Sequence, residues 1–271
     1  MTIYFMLKSL IYNVVVKYYF FYFVNYIIVC LFMLVSVCIA TYNGERYIRE
    51  QILSILPQLS DDDEIVVSDD GSLDNTLAIL ESIDDSRIKI IKKYGEHGYT
   101  SNFENALKHS KGDVIFLCDQ DDIWIENKVE IMLEHLKFAD MVISDAIVVN
   151  EKLKVLHNSF WKLVSPYRSA MGNWFRFSYL GCCMCFKRIV LIRALPFPYK
   201  HKYATHDNWL CLVALFYFKV YYENQPLILY RRHTGSISTG GLEKSKTSFF
   251  FKIAYRLYLL WNLLLINKKS E

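Results

Sequence analysis

Short apolar runs alternate with helical patterns from residue 34 to residue 145. Apolar residues between the first two runs, including Ile48, Ile52 and Ile55, recur at the spacing of one helix face. The runs themselves predict buried strands, because each is short and several end in polar turn residues. These strands are predicted at residues 34–40, 64–68, 87–92, 114–118 and 141–145. Strands that alternate with helices predict βαβ units and a largely parallel sheet.

The second half of the chain is less regular. It contains apolar runs at 181–186 and 226–230, which predict two more strands. A helix is predicted over residues 205–217, and a longer one over 249–266. Asp207, at the start of the first of these helices, is interpreted either as an N-cap or as a site residue.

Polar turns follow three of the predicted strands, at residues 41–43, 69–72 and 119–122. In open parallel sheets, ligands bind at the carboxyl ends of the strands. We therefore expect these three turns to converge on one edge of the sheet and to form a binding site there.

The turn after the strand at 114–118 carries three carboxylates, Asp119, Asp121 and Asp122. Like charges this close resist ionisation unless a cation pairs with them. A divalent metal such as Mg²⁺, which one or two carboxylates commonly hold together with substrate phosphates, would relieve the repulsion. The alternative is an acidic turn that caps the helix predicted to begin near Glu126. Polar chemistry at all three strand ends favours the metal site, with Asp122 as the member expected to cap the helix.

The first 33 residues are strongly apolar and aromatic. Residues 18–34 carry no charge and approach the roughly 20 residues that span a bilayer. The strand predicted at 34–40 follows without a linker, which leaves no room to leave the bilayer. An interfacial helix, an anchor and a natural start at Met33 are the three interpretations, and we favour membrane association or a start at Met33 over a span.

The helix predicted at 249–266 carries Lys252 and Arg256 among aromatic and aliphatic residues. Such a basic aromatic helix is typical of a membrane surface. The same pattern also fits a helix that packs onto the domain, so both interpretations stay open.

Overall composition limits the class of partner. The 271 residues include 31 basic and 28 acidic side chains, a net charge of +3, which is too balanced to indicate a nucleic-acid-binding protein. Several of the seven cysteines fall inside apolar runs and are expected to be small buried hydrophobes in a reducing compartment. Cys182 and Cys185 have CxxC spacing, but no second pair follows at zinc-finger spacing, so no metal site is expected there.

The motifs, taken in order, resemble family 2 glycosyltransferases with the GT-A fold. They are VSVCIATYNGE at 35–45, DDGS at 69–72, DQDDIW at 119–124, SD at 144–145, GCCM at 181–184, HDNW at 206–209 and YRRH at 230–233. The DQDDIW and HDxW forms are similar to those of bacterial rhamnosyltransferase-like enzymes that build surface polysaccharide. The resemblance implies a Rossmann-like α/β domain with a mostly parallel sheet and flanking helices.

Each matched residue receives a role from this resemblance. The residues implied to contact the nucleotide and ribose are Ala40, Thr41, Tyr42 and Asn43, with Asp69 and Asp70 on the base. Asp119 and Asp121 would form the DxD pair that holds Mg²⁺ or Mn²⁺, with Asp121 as the direct ligand and Asp119 also facing the donor. Asp207 matches the catalytic base. Arg231 and His233 match a motif that closes over the diphosphate.

The implied function is inverting transfer from a UDP- or dTDP-sugar to a glycan or polyprenyl-linked acceptor at the cytoplasmic face of a bacterial membrane. The expected organisation is an N-terminal segment (1–33), the transferase domain (34–239) and an amphipathic helical tail (240–271). A nucleotidyltransferase is one alternative, but the turn at 41–46 has a single glycine where a Gly-rich phosphate loop is expected. An inactive, membrane-tethered nucleotide-sugar-binding protein is the other.

Overall fold

A computed structural model of the protein describes residues 33–95, 97–233 and 248–268. The predictions for the apolar segment 1–32 lie outside the described residues. Within them, nine strands form one sheet. The strands are β1 (Val35–Thr41), β2 (Glu64–Asp69), β3 (Ile88–Lys92), β4 (Val114–Asp119), β5 (Ile123–Trp124), β6 (Met141–Asn150), β7 (Val155–His157), β8 (Met184–Lys187) and β9 (Val220–Arg232).

The sheet has the order β3-β2-β1-β4-β8-β6-β9-β5, with β7 paired to β6. Its first four strands are all parallel. Beyond them the sheet is mixed, because β8 runs antiparallel to both β4 and β6 whereas β6 and β9 are parallel. This is the α/β architecture that the alternating pattern predicted.

Nine α-helices flank the sheet in the described ranges. They are α1 (Ile48–Ile55), α2 (Thr76–Glu81), α3 (Tyr99–His109), α4 (Lys128–Leu136), α5 (Phe160–Val164), α6 (Ala170–Phe175), α7 (Arg188–Ala194), α8 (His206–Tyr217) and α9 (Phe249–Lys268). In α1, the helically spaced Ile48, Ile52 and Ile55 are fully buried, as the pattern required. Burying one such side chain contributes about 1.5–3 kcal/mol.

Two predicted elements differ from the structure. Residues Gly181–Cys183 form a 3-10 turn, and the strand begins only at Met184. A Cβ on Gly181 would lie 3.0 Å from Nε2 of His206, so the chain turns there to let α8 approach. Strand β9 is longer than predicted, because it pairs with β6 along most of its length, a partner that local sequence does not reveal.

The cysteines in the described residues are all buried free thiols, as expected from their apolar surroundings. Helix α9 packs on the domain along one face, where Leu259 and Leu263 are buried. Two of its backbone carbonyls accept hydrogen bonds from the domain: Arg256 O from Trp174 Nε1 at 2.9 Å, and Leu263 O from Tyr217 Oη at 2.8 Å.

The other face of α9 is apolar and exposed. The exposed side chains are Phe249, Phe250, Ile253, Leu257, Trp261, Leu264 and Leu265. By length and composition, residues Phe249–Ile266 could also cross a bilayer. The contacts on its buried face hold the helix against the domain.

Candidate active site

The three polar turns lie side by side at the carboxyl edge of the parallel strands. In the strand register, Thr41 is opposite Asp69 and Ala40 is opposite Asp119. The turns of β1, β2 and β4 therefore meet at one edge, as the sequence predicted. Ala40 is partly buried, whereas Tyr42 is 47% exposed.

Gln120 clamps the β4 turn to the β1 turn. Its Oε1 accepts hydrogen bonds from Thr41 Oγ1 at 2.7 Å and from the backbone N–H of Tyr42 at 3.0 Å. Its Nε2 donates to Tyr42 O at 3.1 Å. The side chain thus fixes the backbone on which the nucleotide-binding role was predicted.

Gly44 is required by this clamp. A Cβ on Gly44 would lie 2.4 Å from Oε1 of Gln120 and 3.1 Å from Oγ1 of Thr41. Any larger residue would push the amide of Gln120 away from its partners. The glycine of the TYNGE motif therefore serves a close approach between two turns.

The β1 and β2 turns are joined by their own side chains. Asn43 donates its N–H to Ser72 Oγ at 2.9 Å and accepts from the N–H of Leu73 at 2.8 Å. Asp69 accepts from the N–H groups of Gly71 and Ser72 at 3.0 and 2.9 Å. The carboxylate of Asp69 and the amide of Asn43 thus shape the turns, which leaves their predicted nucleotide contacts to be tested.

Asp70 is buried beside a lysine. Its carboxylate accepts from Lys93 Nζ at 2.8 Å and from the N–H of Gly98 at 2.8 Å. The side chain is 8% exposed and that of Lys93 is 6% exposed. Because both oxygens already have partners, a nucleotide base that contacts Asp70 would share these hydrogen bonds.

The acidic turn is held by the end of β9. His233 Nε2 lies 2.7 Å from Oδ2 of Asp121. Asp122 Oδ1 accepts from the N–H of Arg231 at 2.9 Å. The prediction that Asp122 caps a helix is wrong: α4 begins at Lys128 with Asn127 as its N-cap, and Asp122 instead pairs with the neighbouring strand.

The side chain of Arg231 is directed into the protein interior. Its guanidinium donates to Asp121 O at 2.8 Å, to Glu151 O at 3.2 Å and to the carboxylate of Glu50 at 2.6 Å. It also lies over the ring of Tyr47, 4.7 Å from the centroid. The residue is 4% exposed, so its predicted contact with a diphosphate would need a rearrangement, whereas His233 is directed at the acidic turn itself.

Burial raises the pKa of two carboxyl groups in the acidic cluster. Burial, followed by the charges of Asp121 and Asp207, raises the pKa of Asp119 to about 7. Burial together with the charges of Asp121 and Asp119 raises the pKa of Asp122 well above its usual range. A divalent cation would remove the cause, because it compensates the negative charge that burial disfavours.

A thiol completes this cluster. The ligand atoms of Asp119, Asp122 and Cys182 all lie within 4.8 Å of one another. Oδ2 of Asp122 is buried and has no hydrogen-bond partner among the described residues. For the ion that the acidic motif predicted, the oxygen ligands would come from Asp119 and Asp121, which lie close enough for the charge of Asp121 to raise the pKa of Asp119. Carboxylate oxygens suit Mg²⁺ or Mn²⁺, so these residues fit the ion.

Lys128 lies inside the protein, next to Cys182. It is fully buried, and its Nζ donates to Cys182 O at 3.4 Å. Its ammonium also lies 5.1 Å from the ring centroid of Trp124. Burial lowers the pKa of Lys128, whereas the nearby thiols act in the opposite direction.

Asp207 approaches from the first turn of α8. The N-cap of that helix is Thr205, so the alternative of Asp207 as N-cap is excluded. Oδ1 of Asp207 accepts from Thr205 Oγ1 at 2.5 Å and from the N–H of Asn208 at 2.7 Å. A Cβ on Gly181 would lie 3.2 Å from the Cβ of Asp207, so the glycine turn lets this carboxylate approach the acidic cluster.

His206 is an aromatic neighbour in the core. Its ring stacks on Phe103, with centroids 4.0 Å apart. Burial lowers its pKa, and its buried Nδ1 has no partner in the described ranges. The geometry therefore fits a neutral imidazole that packs in the core beside Phe103.

Three residues of this region received no role from the sequence. Gln120 stood inside the DQDD motif, and Cys182 inside the GCCM motif, but neither motif indicates the contact it makes. Lys128 carried no signal at all, because a lysine in an amphipathic helix is ordinarily exposed.

Comparisons with known proteins identify the family of this chain. A family model described as "Glycosyl transferase family 2" matches residues 36–194. The UDP-Glc:alpha-D-GlcNAc-diphosphoundecaprenol beta-1,3-glucosyltransferase WfgD of Escherichia coli is 28% identical over 248 residues, which cover 88% of this chain and 95% of that protein. The dTDP-rhamnosyl transferase RfbG of Shigella flexneri is 32% identical over 211 residues, covering 72% and 71%.

Among solved structures, S. aureus TarS 1-349 in complex with UDP-GlcNAc matches with a TM-score of 0.65 at 19% identity. The match covers 85% of this chain and 67% of that one. Compared with a second structure of S. aureus TarS 1-349, which matches with a TM-score of 0.60, this chain spans 60% of the TarS chain. At this level of identity, the likeness shows the fold alone.

Proposed function

The chain belongs to glycosyl transferase family 2, and from this premise we propose that it is an inverting transferase of bacterial surface polysaccharide synthesis. In this proposal it moves a sugar from a nucleotide diphosphate to a lipid-linked glycan. The names of WfgD and RfbG support both halves, since one specifies a diphosphoundecaprenol acceptor and the other a dTDP-rhamnosyl donor. The DQDDIW motif favours a rhamnosyl donor.

The observation that carries this proposal is the meeting of two kinds of group at one sheet edge. The turns of β1, β2 and β4 offer backbone and carboxylate groups on one side. Asp207 enters from α8, close enough for its charge to raise the pKa of Asp119. A transferase needs both features, a donor cradle and a separate carboxylate for the acceptor.

The donor nucleotide would lie along the β1 and β2 turns. Tyr42 offers an exposed ring for the base, and the clamped backbone of Ala40 and Thr41 offers fixed polar groups. Asn43, Asp69 and Asp70 hold the floor of this cradle through the hydrogen bonds described above. Their proposed contribution to binding is therefore preorganisation together with direct contact.

The diphosphate would face Asp119, Asp121 and His233. A divalent cation, Mg²⁺ or Mn²⁺, supplies the positive charge that stabilises the leaving group when it is bound there. Asp121 and Asp119 would hold this ion as the DxD pair. His233, already 2.7 Å from Asp121, would close over the phosphates together with the end of β9 that Arg231 anchors.

The acceptor hydroxyl would be deprotonated by Asp207. One oxygen of this carboxylate accepts two hydrogen bonds, which orient it. The oriented base removes the proton as the acceptor oxygen attacks the anomeric carbon. A single displacement of this kind inverts the configuration, by the logic that separates inverting from retaining glycosidases.

The acceptor also indicates where the enzyme works. A polyprenyl-linked glycan stays at the membrane, so we place the enzyme at the cytoplasmic face of the bacterial cell membrane. The exposed apolar face of α9 supports peripheral association there, because an apolar helix face beside basic residues is typical of interfacial helices. We assign residues 34–239 to the catalytic domain and residues 240–271 to the tail that carries α9.

A nucleotide-sugar panel tests the proposal. Purified protein would be incubated with UDP- and dTDP-sugars, Mg²⁺ or Mn²⁺ and a lipid-linked GlcNAc acceptor, followed by mass analysis of extracted lipids. We expect one donor to extend the acceptor by one sugar. Donor binding without product from any member of the panel would instead identify an inactive binding protein.

A further inference from the structure

Two hard ligand atoms and one soft ligand atom lie together at the acidic turn. A carboxylate oxygen of Asp119, a carboxylate oxygen of Asp122 and the sulfur of Cys182 are within 4.8 Å of one another. We propose that these residues form a binding site for a thiophilic divalent cation such as Zn²⁺ or Cd²⁺. This set differs from the donor-metal pair, since it includes a thiol and does not include Asp121.

An unsatisfied buried atom points to a ligand here. Asp122 is 1% exposed, and its Oδ2 has no hydrogen-bond partner in the described part of the chain. Its other oxygen already accepts from the N–H of Arg231. Buried carboxylate oxygens are ordinarily satisfied, so this oxygen, which lies next to a thiol, is able to accept a cation.

The geometry requires only a small contraction. Ligand atoms around a tetrahedral zinc ion lie about 3.3–3.8 Å apart, given metal–ligand distances of about 2.0–2.3 Å. The observed separations of up to 4.8 Å would close by about 1 Å. Asp119 is the half-buried member of the three, so an ion would enter past its carboxylate and keep a position for water on that side.

Binding of a divalent ion would displace protons from these three groups, because metal ligands must be deprotonated. When the metal–sulfur bond forms, the S–H bond of Cys182 breaks and its proton leaves to solvent, because the thiolate is the ligand.

Such an ion would also affect sugar transfer, and this effect alone rests on the proposed function. Asp119 belongs both to this site and to the donor-metal pair. A thiophilic ion held by Asp119, Asp122 and Cys182 would therefore compete with Mg²⁺ or Mn²⁺ and inhibit transfer.

Cadmium binding to the full chain, without any nucleotide sugar, tests the site. Cd²⁺ would be titrated while the ultraviolet cadmium–thiolate charge-transfer band and proton release are recorded. We expect the band in the natural protein and in Cys183→Ser, whose thiol is an equally buried neighbour directed at Asp145 O. We expect its loss in Cys182→Ser, and a band that persists in Cys182→Ser would overturn the proposal.

A measurement on the unmodified protein covers the case in which Cys182→Ser does not fold. Cadmium NMR reports the number of sulfur ligands, and we expect one. A spectrum with oxygen ligands only, with two or more sulfurs, or with no bound cadmium contradicts the site. Because neither measurement involves transfer, a failure here and a failure of the proposed function are separately visible.

Discussion

His233 and Asp121 are 112 residues apart in the sequence, yet Nε2 of the imidazole lies 2.7 Å from Oδ2 of the carboxylate. The neighbouring Arg231 also donates to the backbone carbonyl of Asp121, at 2.8 Å. The end of β9 thus holds the acidic turn by its main chain and its side chain. A cation bound by Asp121 would have to share this contact with His233.

Replacing His233 separates its two expected effects. In His233→Ala we expect kcat/KM to fall about 10²-fold, because a group that contacts the diphosphate is lost. The affinity of the donor-free protein for Mn²⁺ should not fall, because the imidazole that competes for Asp121 is removed. Steady-state kinetics and calorimetry measure the two quantities. His135→Ala, which removes an imidazole paired with Glu223 instead, is the control, and weaker Mn²⁺ binding in His233→Ala would contradict the geometry.

Asp207→Asn should separate chemistry from donor binding. The amide keeps the shape of the side chain but cannot take a proton, so we expect kcat to fall about 10²–10⁴-fold. Nucleotide-sugar binding, measured by calorimetry, should persist. Asp84→Asn removes an exposed carboxylate and should leave turnover unchanged. Retained turnover in Asp207→Asn would assign the base to another residue.

The clamp between Gly44 and Gln120 predicts a non-additive pair. In Gly44→Ala the new methyl displaces the amide of Gln120, so the β1 turn loses its hydrogen bonds. We expect a loss of about 1–3 kcal/mol in the free energy of unfolding and a higher KM for the donor. Adding Gln120→Ala removes the clash, so the double variant should lose less than the sum of the two single variants. Strict additivity in urea unfolding would show that the two residues do not meet.

The pKa of Asp119 predicts a pH-dependent stability in the metal-free protein. Its folded-state pKa of about 7 lies above the unfolded value of about 3.9, so the folded state keeps a proton that the unfolded state has released. Stability should therefore fall as the pH rises from about 4 to about 7. Because Asp119 is half-buried and partly screened, we expect Asp119→Asn to abolish about 1–2 kcal/mol of this loss.

Urea unfolding across that pH range, with a chelator present, measures the effect. The Asn variant should be the more stable protein above about pH 7 and should equal the parent near pH 4. Identical pH profiles for the two proteins would show that Asp119 titrates normally in the folded state.

The exposed face of α9 predicts reversible membrane binding. Trp261 is 63% exposed and Leu257 is 58% exposed, and a charge at either position would have to enter the lipid interface. We expect Leu257→Glu and Trp261→Glu to reduce co-sedimentation with anionic lipid vesicles. Leu73→Glu changes a 90% exposed leucine between β2 and α2, away from α9, and is the matched control. Equal loss in all three variants would mean that α9 is not the docking surface.

The sequence by itself determined the frame of the site. Strand and helix periodicities reflect which side chains face the core, and that information is local, so the parallel strands and their polar ends could be predicted. The motifs from VSVCIATYNGE to YRRH likewise identified the family, because its chemistry needs particular residues at strand ends. Roles such as Asp207 as base and Asp121 as metal ligand stay predictions.

The tertiary structure alone decided how the carboxylates are partnered. Local sequence suggested that Asp122 caps a helix, whereas the main chain of β9 occupies it. Local sequence also gave no sign that Cys182 lies beside Asp119, or that Arg231 is buried against Glu50. These contacts join segments separated by many tens of residues. They depend on how whole strands and helices pack, and packing is a property of the assembled sheet that no local pattern encodes.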